Sequence, residues 1–266
     1  MIKFISFGSG SSGNCYYLET EGRGLIVDAG IGWRLLRKLT NEYGISLERA
    51  EAVVLTHDHT DHIKAVGAVA NAYNLPVYAG LGVHKRIDSN YMVRTKVPQR
   101  LKRMVEANIV MEIGPYRVEA VSVPHDSRQN YGYSITAGGT KLCILTDVGH
   151  FTPEMERLVV DCDFLVVEAN YDKGMLDSGP YPERLKKRIA SGNGHSENSQ
   201  TAAFVAKTAT ERLKRVWLCH LSQENNTPLL AVEAVRNAVR SLPEPMNGIR
   251  VEALPRTEAA GPFNLD

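Results

Sequence analysis

VVLTHDHTDH, Val53–His62, decides how this chain is read. An apolar run feeds directly into His57, Asp58, His59, Asp61 and His62. Imidazoles and carboxylates forced together off a strand end lose hydration and repel when charged. A bound cation removes that cost. If the chain stays extended past Thr56, then His57, His59 and Asp61 point to one side and Asp58 to the other. His62, opening the next helix, can swing back to the first side. The cluster divides into His57 with His59 and Asp61 with His62, each pair incomplete alone, and two metals complete the pattern. Imidazole and carboxylate without thiolate suit zinc, with manganese or iron as alternatives, and a catalytic site keeps positions open for water and substrate. Asp58, directed away, is expected to pair with backbone or to cap the helix.

The same device recurs along the chain. GLIVD ends at Asp28, VEAVSVPH at His125, KLCILTD at Asp147, DFLVVE at Glu168 and RVWLCH at His220. In open α/β layers, chemistry collects where loops converge beyond strand ends. Asp28 has two readings: it ties the metal loop in place by bonding a ligand, or it caps AGIGWRLLRKL. His84 and His150 stand alone and are read as structural. Between the strands, IKAVGAVANAY places Ile63, Val66, Ala70 and Tyr73 on one helical face. TAAFVAKTATERL does the same with Phe204, Val205, Thr208 and Leu213, and LLAVEAVRNAVRSL repeats apolar positions at helical spacing. Hairpins followed by mixed strands and helices predict an α/β fold, a four-layer αβ/βα sandwich. No internal repeat is visible, and PRTEAAGPFNLD, about residues 255–266, reads as a loose C-terminal tail.

Composition bounds the answer. With 266 residues, 43% hydrophobic and 23% charged, the chain can bury one large core, and one domain over 1–266 is expected. A formal net charge of +1 gives no global pull toward a polyanion, so any nucleic-acid affinity has to come from a local patch. No run of about 18 apolar residues exists and MIKFISFGSG is too short for a signal peptide, so a cytoplasmic protein without a membrane partner is expected. Cys15, Cys143, Cys162 and Cys219 form no CxxC pair and read as buried free thiols.

HDHTDH with the later His125, Asp147 and His220 resembles the ligand pattern of the metallo-β-lactamase fold superfamily of hydrolases. FGSGSSGNCYYL, VPHDSRQNYGYSI, ILTDVGH, SGPYPERLKKRI and CHLSQENNTPLLA together resemble the YycJ/WalJ/VicX family over nearly the whole chain. The family pattern Gly-His-Leu-Ser-Asn is GHSEN here, so His195 matches while its neighbours differ. The resemblance implies that His57, His59 and His125 hold one metal, that Asp61, His62 and His220 hold a second, and that Asp147 bridges them. Such a pair, about 3.5–4 Å apart, shares a hydroxide and clamps a phosphodiester. Asp61 would also orient or deprotonate the attacking water. The implied activity is a DNA exonuclease working from 5′ ends, with DNA favoured over RNA. The same cage could instead hydrolyse a small ester, lactone or thioester. A regulatory binding module without turnover is a third reading, against which the intact ligand set argues. The sequence assigns no oligomeric state.

His195, in the polar run SGNGHSENS, is the expected phosphate contact or proton donor. Ser196 and Asn198 are candidate caps for the helix that follows, whose N-terminus would favour phosphate. In GSGSSGN, Ser11, Ser12 and Asn14 are candidates to approach metal or phosphate. Two basic runs, VRTKVPQRLKRM with Arg100, Lys102 and Arg103, and ERLKKR with Arg184, Lys186, Lys187 and Arg188, read as solvated faces by default and as flanks of a nucleic-acid cleft otherwise.

Overall fold

The computed structural model describes residues 1–266. The first half runs β1 (Ile2–Gly8), β2 (Cys15–Thr20), β3 (Arg23–Val27), α1 (Trp33–Glu42), β4 (Ala50–Val54), α2 (Thr60–Ile63), α3 (Val66–Tyr73), β5 (Val77–Ala79), α4 (Leu81–Ser89) and β6 (Lys102–Met104). The second begins with β7 (Val110–Ile113), β8 (Tyr116–Ser122), β9 (Tyr131–Ala137), β10 (Thr140–Leu145), α5 (Pro153–Val159) and β11 (Phe164–Glu168). It continues through α6 (Lys173–Ser178), α7 (Glu183–Ile189), α8 (Asn198–Thr208), β12 (Arg215–Cys219), α9 (Pro228–Arg240), β13 (Arg250–Ala253) and β14 (Ala260–Leu265).

The strands form two seven-stranded sheets, ordered β14-β1-β2-β3-β4-β5-β6 and β13-β12-β11-β10-β9-β8-β7. Each opens with antiparallel hairpins and ends in parallel strands: β3 to β6 in one, β10 to β13 in the other. The two halves therefore share one plan that no sequence repeat announces. Burial confirms the four layers. One apolar cluster, with Ile26, Val53, Leu36, Val69 and Val83, joins the first sheet to α1, α3 and α4. A second, with Phe4, Tyr16, Val54, Tyr133 and Trp217, fills the space between the sheets. A third, with Leu165, Leu218, Phe204, Val235 and Val239, joins the second sheet to α5, α8 and α9. Strands buried on both faces need continuous apolar runs instead of alternation, which is why Phe164–Val167 and Val216–Cys219 read as they do.

Three expectations change. IKAVGAVANAY presents Ile63, Val66 and Ala70 to the core as expected, but it is two helices, because Ala65 N donates to Ala29 O at 2.8 Å and docks the chain onto the loop after β3. The helix over TAAFVAK stops at Thr208 where Ala209 turns extended, and Leu213 reaches the core from a loop. The tail is not loose. Residues 260–265 form β14, which pairs antiparallel with β1 through Ile2↔Leu265, Lys3↔Asn264 and Phe4↔Phe263. Phe263 lies 5.0 Å from Trp217 and 6.1 Å from Phe4, ring centre to ring centre, and Leu265 is fully buried. Pairing with the opposite end of the chain holds this segment.

Leu265→Ala is therefore expected to lower stability by roughly 2–5 kcal/mol, the usual cost of emptying a buried leucine site. Denaturant unfolding measures it, and no shift in midpoint would return the segment to a tail.

Candidate metal centre

The strand order brings the marked residues to one edge. β8 and β10 both run antiparallel to β9, and β10, β11 and β12 are parallel. Their carboxyl ends thus face the same way, carrying His125, Asp147, Glu168 and His220, and across the sandwich β4 delivers His57, His59, Asp61 and His62. Asp28, Asp147 and His220 sit at positive φ, 60°, 55° and 52°. Left-handed backbone at non-glycine residues costs roughly 1–3 kcal/mol each, so surrounding contacts must impose it. Gly30 is required beside the cluster, since a Cβ there would lie 1.5 Å from Asp61 O.

Four groups of ligand atoms lie within 4.8 Å of one another: the two expected triads, His57/His59/His125 and Asp61/His62/His220, and two that overlap them, His57/His62/Asp147 and Asp147/Glu168/His195/His220. Asp147 lies between the two triads, Oδ2 3.2 Å from His62 Nε2 and Oδ1 3.6 Å from His125 Nε2. The outer ring nitrogens are already engaged. His62 Nδ1 donates to Asp28 Oδ2 at 2.7 Å, His125 Nδ1 to Gly194 O at 2.8 Å and His220 Nδ1 to Glu168 Oε1 at 2.9 Å. His57 Nδ1 lies 3.0 Å from Thr56 Oγ1, which itself bonds Asp28. These bonds fix the tautomers and turn Nε2 of each ring inward, as metal-ligating histidines require. His57 Nε2 and His220 Nε2 are buried without any hydrogen-bond partner. Buried polar atoms are seldom left so. Orphaned imidazole nitrogens facing carboxylates fit divalent cations.

Electrostatics agree. Burial, and then the neighbouring His62 charge, push His57 well below the ordinary histidine range. Burial also disfavours charge on His62, but Asp28, Asp147 and Asp61 outweigh it and lift the ring to about 10. Burial would raise Asp147, yet the His220, His62 and His57 rings hold it well below the usual carboxylate range.

Glu168 does more than its place at a strand end announced. It is fully buried, and Oε1 accepts from both His195 Nδ1 at 2.8 Å and His220 Nδ1 at 2.9 Å. Oε2 accepts from Val148 N at 2.8 Å and Ser196 N at 3.0 Å. Burial works against its charge, but the His195 charge and the bonds to His195 and His220 bring it down to about 2. One carboxylate so positions a ligand of one triad and the histidine outside both. Its backbone is anchored as well: His195 N donates to Ile189 O at 2.9 Å, a close approach that needs Gly194, where a Cβ would meet Ile189 O at 2.1 Å.

The remaining expected residues divide. Asp28 bonds His62 and Thr56, while α1 is capped by Gly32, so its capping reading falls. Asp58 is buried with Oδ1 3.5 Å from Arg128 N, and the N-cap of α2 is His59, with no side-chain cap bond, so Asp58 pairs with backbone. Asn14 is buried with Nδ2 2.9 Å from His62 Nε2. Ser11 is exposed and lines a cavity beside His195, whereas Ser12 is exposed and lines neither cavity at the centre. Ser196 and Asn198 are not caps or exposed donors: Ser196 is spent on Glu168, Asn198 pairs with Asn226, and Glu197 caps α8, its N–H bonded to Gln200 Oε1 at 3.1 Å. Arg100, Lys102 and Arg103 lie at edge strand β6 and bond Asn74, Asp88 and local carbonyls. The cavity at His59 and Asp61, about 520 Å³ with no hydrophobic lining, is instead edged by Arg86, Arg128 and Arg188, which face Asp58, Asp61 and Asp126 in the same walls. His84 and His150 bond carbonyls of Arg103 and Gly192, and the four cysteines are buried and free.

The family model described as Beta-lactamase superfamily domain matches residues 23–221. Exodeoxyribonuclease WalJ of Streptococcus pneumoniae serotype 2 is 34% identical over 86% of this chain and 85% of its own. The chain belongs to the WalJ/YycJ family of the metallo-β-lactamase superfamily. Another member, exodeoxyribonuclease YycJ of Bacillus anthracis, is 32% identical over 86% of each chain. The zinc-bound structure of PqqB from Methylobacterium extorquens superposes with TM-score 0.73 at 15% identity, over 98% of this chain and 100% of that one, and shares the fold. This WalJ/YycJ-family chain is thus a metal-dependent hydrolase, and none of its helices is long and apolar enough to cross a membrane.

Because Asp28 orients His62 without reaching the triads, Asp28→Asn is expected to weaken metal affinity roughly 10- to 100-fold while leaving the fold intact. Chelator competition with zinc measures it, and unchanged affinity would reduce Asp28 to a loop brace.

Proposed function

We propose that this chain is a dinuclear phosphodiesterase acting on DNA, an exodeoxyribonuclease that works from 5′ ends. The observation that carries the reading is His195, fixed through Nδ1 by Glu168 beside both triads, at a centre whose open cavity is edged by three arginines. The names of the two family relatives support it, since they cover most of both chains. A cavity without hydrophobic lining suits an anionic phosphodiester better than an apolar lactone or ester.

Two divalent cations, zinc or alternatively manganese or iron, supply a nucleophile at neutral pH and neutralise phosphoryl oxygens when bound. His57, His59 and His125 would hold one, Asp61, His62 and His220 the other, with Asp147 shared. The side chains do the rest. Asp61, 22% exposed at the cavity while its Oδ2 lies 3.7 Å from both His62 Nε2 and His220 Nε2, orients the attacking water and takes its proton. Arg86, Arg128 and Arg188 align backbone phosphates as charged donors. His195 keeps Nδ1–H on Glu168, which leaves Nε2 to donate to the leaving oxygen.

Metal-replete protein is expected to contain two metals per chain by elemental analysis and to release the label of 5′-labelled duplex DNA as mononucleotide. It should do so ahead of RNA and of a lactone and thioester panel. Saturation at one metal would sink the dinuclear assignment, initial release from 3′ ends the polarity, and lactone turnover without DNA cleavage the nuclease reading.

His195→Ala should keep both metals and lose roughly 10²–10⁴-fold in kcat on DNA, the range for a positioned acid. The loss should be smaller on bis-p-nitrophenyl phosphate, whose leaving group needs no proton. Loss of a metal, or DNA cleavage within about threefold of the parent, would overturn this role.

A further inference from the structure

A second cavity, about 180 Å³, adjoins the centre on the His195 side. It shares Asp126 and Arg188 with the larger cavity, and the ion pair between those two residues, Nε to Oδ2 2.5 Å, stands between them. The two cavities differ in chemistry. The larger has only polar and charged walls, whereas the smaller carries Tyr181, Leu185 and Ile189. Leu185 and Ile189, one turn apart, share a face of α7, and Tyr181 joins this apolar stripe from the bend before the helix. No residue of α7 is fully buried, and the stripe is half-exposed. A helix normally spends such a stripe on the core. Here it faces a cavity beside the catalytic histidine.

We infer that this cavity holds the base of the nucleotide being removed, with Tyr181 as its stacking surface, while the phosphates that follow lie in the arginine-lined cavity. The inference rests on the nucleic-acid reading given above and adds what grips the terminal nucleotide. An aromatic ring and two aliphatic side chains next to a phosphate-directed histidine match a flat base on its sugar-phosphate better than they match a second phosphate. Two polar groups in the walls are already engaged. Asn170 Nδ2 donates to His220 O at 2.7 Å, and Ser222 Oγ accepts from Asn225 N at 3.1 Å. The Tyr181 ring and the two aliphatic side chains supply the grip through stacking, which every base satisfies.

The test compares binding of thymidine 5′-monophosphate and deoxyribose 5-phosphate to the zinc-loaded protein by calorimetry. The nucleotide is expected to bind about 5- to 150-fold more tightly, the worth of stacking one base. Tyr181→Ala should abolish that ratio and Tyr181→Phe should keep it. Equal affinities in the parent, or a ratio that survives Tyr181→Ala, would overturn the inference. The ratio is internal to each protein and needs no DNA cleavage. A large parental ratio without DNA degradation would therefore sustain the base site while removing the exonuclease reading, and DNA degradation with no ratio would do the reverse.

Discussion

Charged and polar side chains withdrawn from water at the shared edge of two sheets are the constraint to which the rest of the structure answers. His57, His62, His220, Asp28, Asp147 and Glu168 are all almost fully buried. Such a cluster is tolerable only if each group has a partner of opposite character. Two carboxylates meet much of the demand. Asp28 serves the HDHTDH loop through His62 and Thr56, and Glu168 serves the opposite sheet through His220 and His195. The orphaned nitrogens of His57 and His220 are what these anchors leave over. The strained backbone at Asp28, Asp147 and His220 belongs to the same balance, since each lies in the left-handed region just where a strand must turn its last side chain inward.

The strand plan makes this arrangement possible. Each half switches from hairpins to parallel strands, so the carboxyl ends of several strands collect at one edge. Aromatic packing between the sheets keeps those edges in register: Trp217 of β12 lies 5.1 Å from Phe4 of β1. Outside this edge the loops between β11 and α8 form the cleft wall. Gly194 allows the His195 loop to press onto the backbone end of α7.

The departure from the family pattern at residues 194–198 has a structural account. Glu197 stands where the family has serine, and it closes the N-terminus of α8 with Gln200. Ser196 stands where the family has leucine, and its hydroxyl donates to Glu168 O at 3.0 Å. With Glu197 at the cap and Ser196 on Glu168, His195 is held at the centre.

Reading alone marked the residues that converge at the sheet edge, because a ligating type of side chain at the end of an apolar run is a local feature, visible in VVLTH, KLCILTD and RVWLCH without knowing what pairs with what. The helix faces and the layered class were legible for the same reason, since periodicity is written within a few turns of chain. Pairing, convergence and competition were not. The strand at residues 260–265 depends on β1 at the other terminus, which no pattern within it reveals. Glu168 could be seen as one more strand end, but its hold on both His195 and His220 arises only when β11 lies beside β12. The arginines of the cleft, Arg86, Arg128 and Arg188, come from separate segments, while the denser run at Arg100–Arg103 is drawn to the sheet edge by β6 pairing and spent on nearby acceptors. The sequence by itself determined which side chains can bind metal, through their chemistry and their places at strand ends. Only the tertiary structure decided which cations and carboxylates are left facing the cleft, because that depends on long-range packing and on which partners each group has already satisfied.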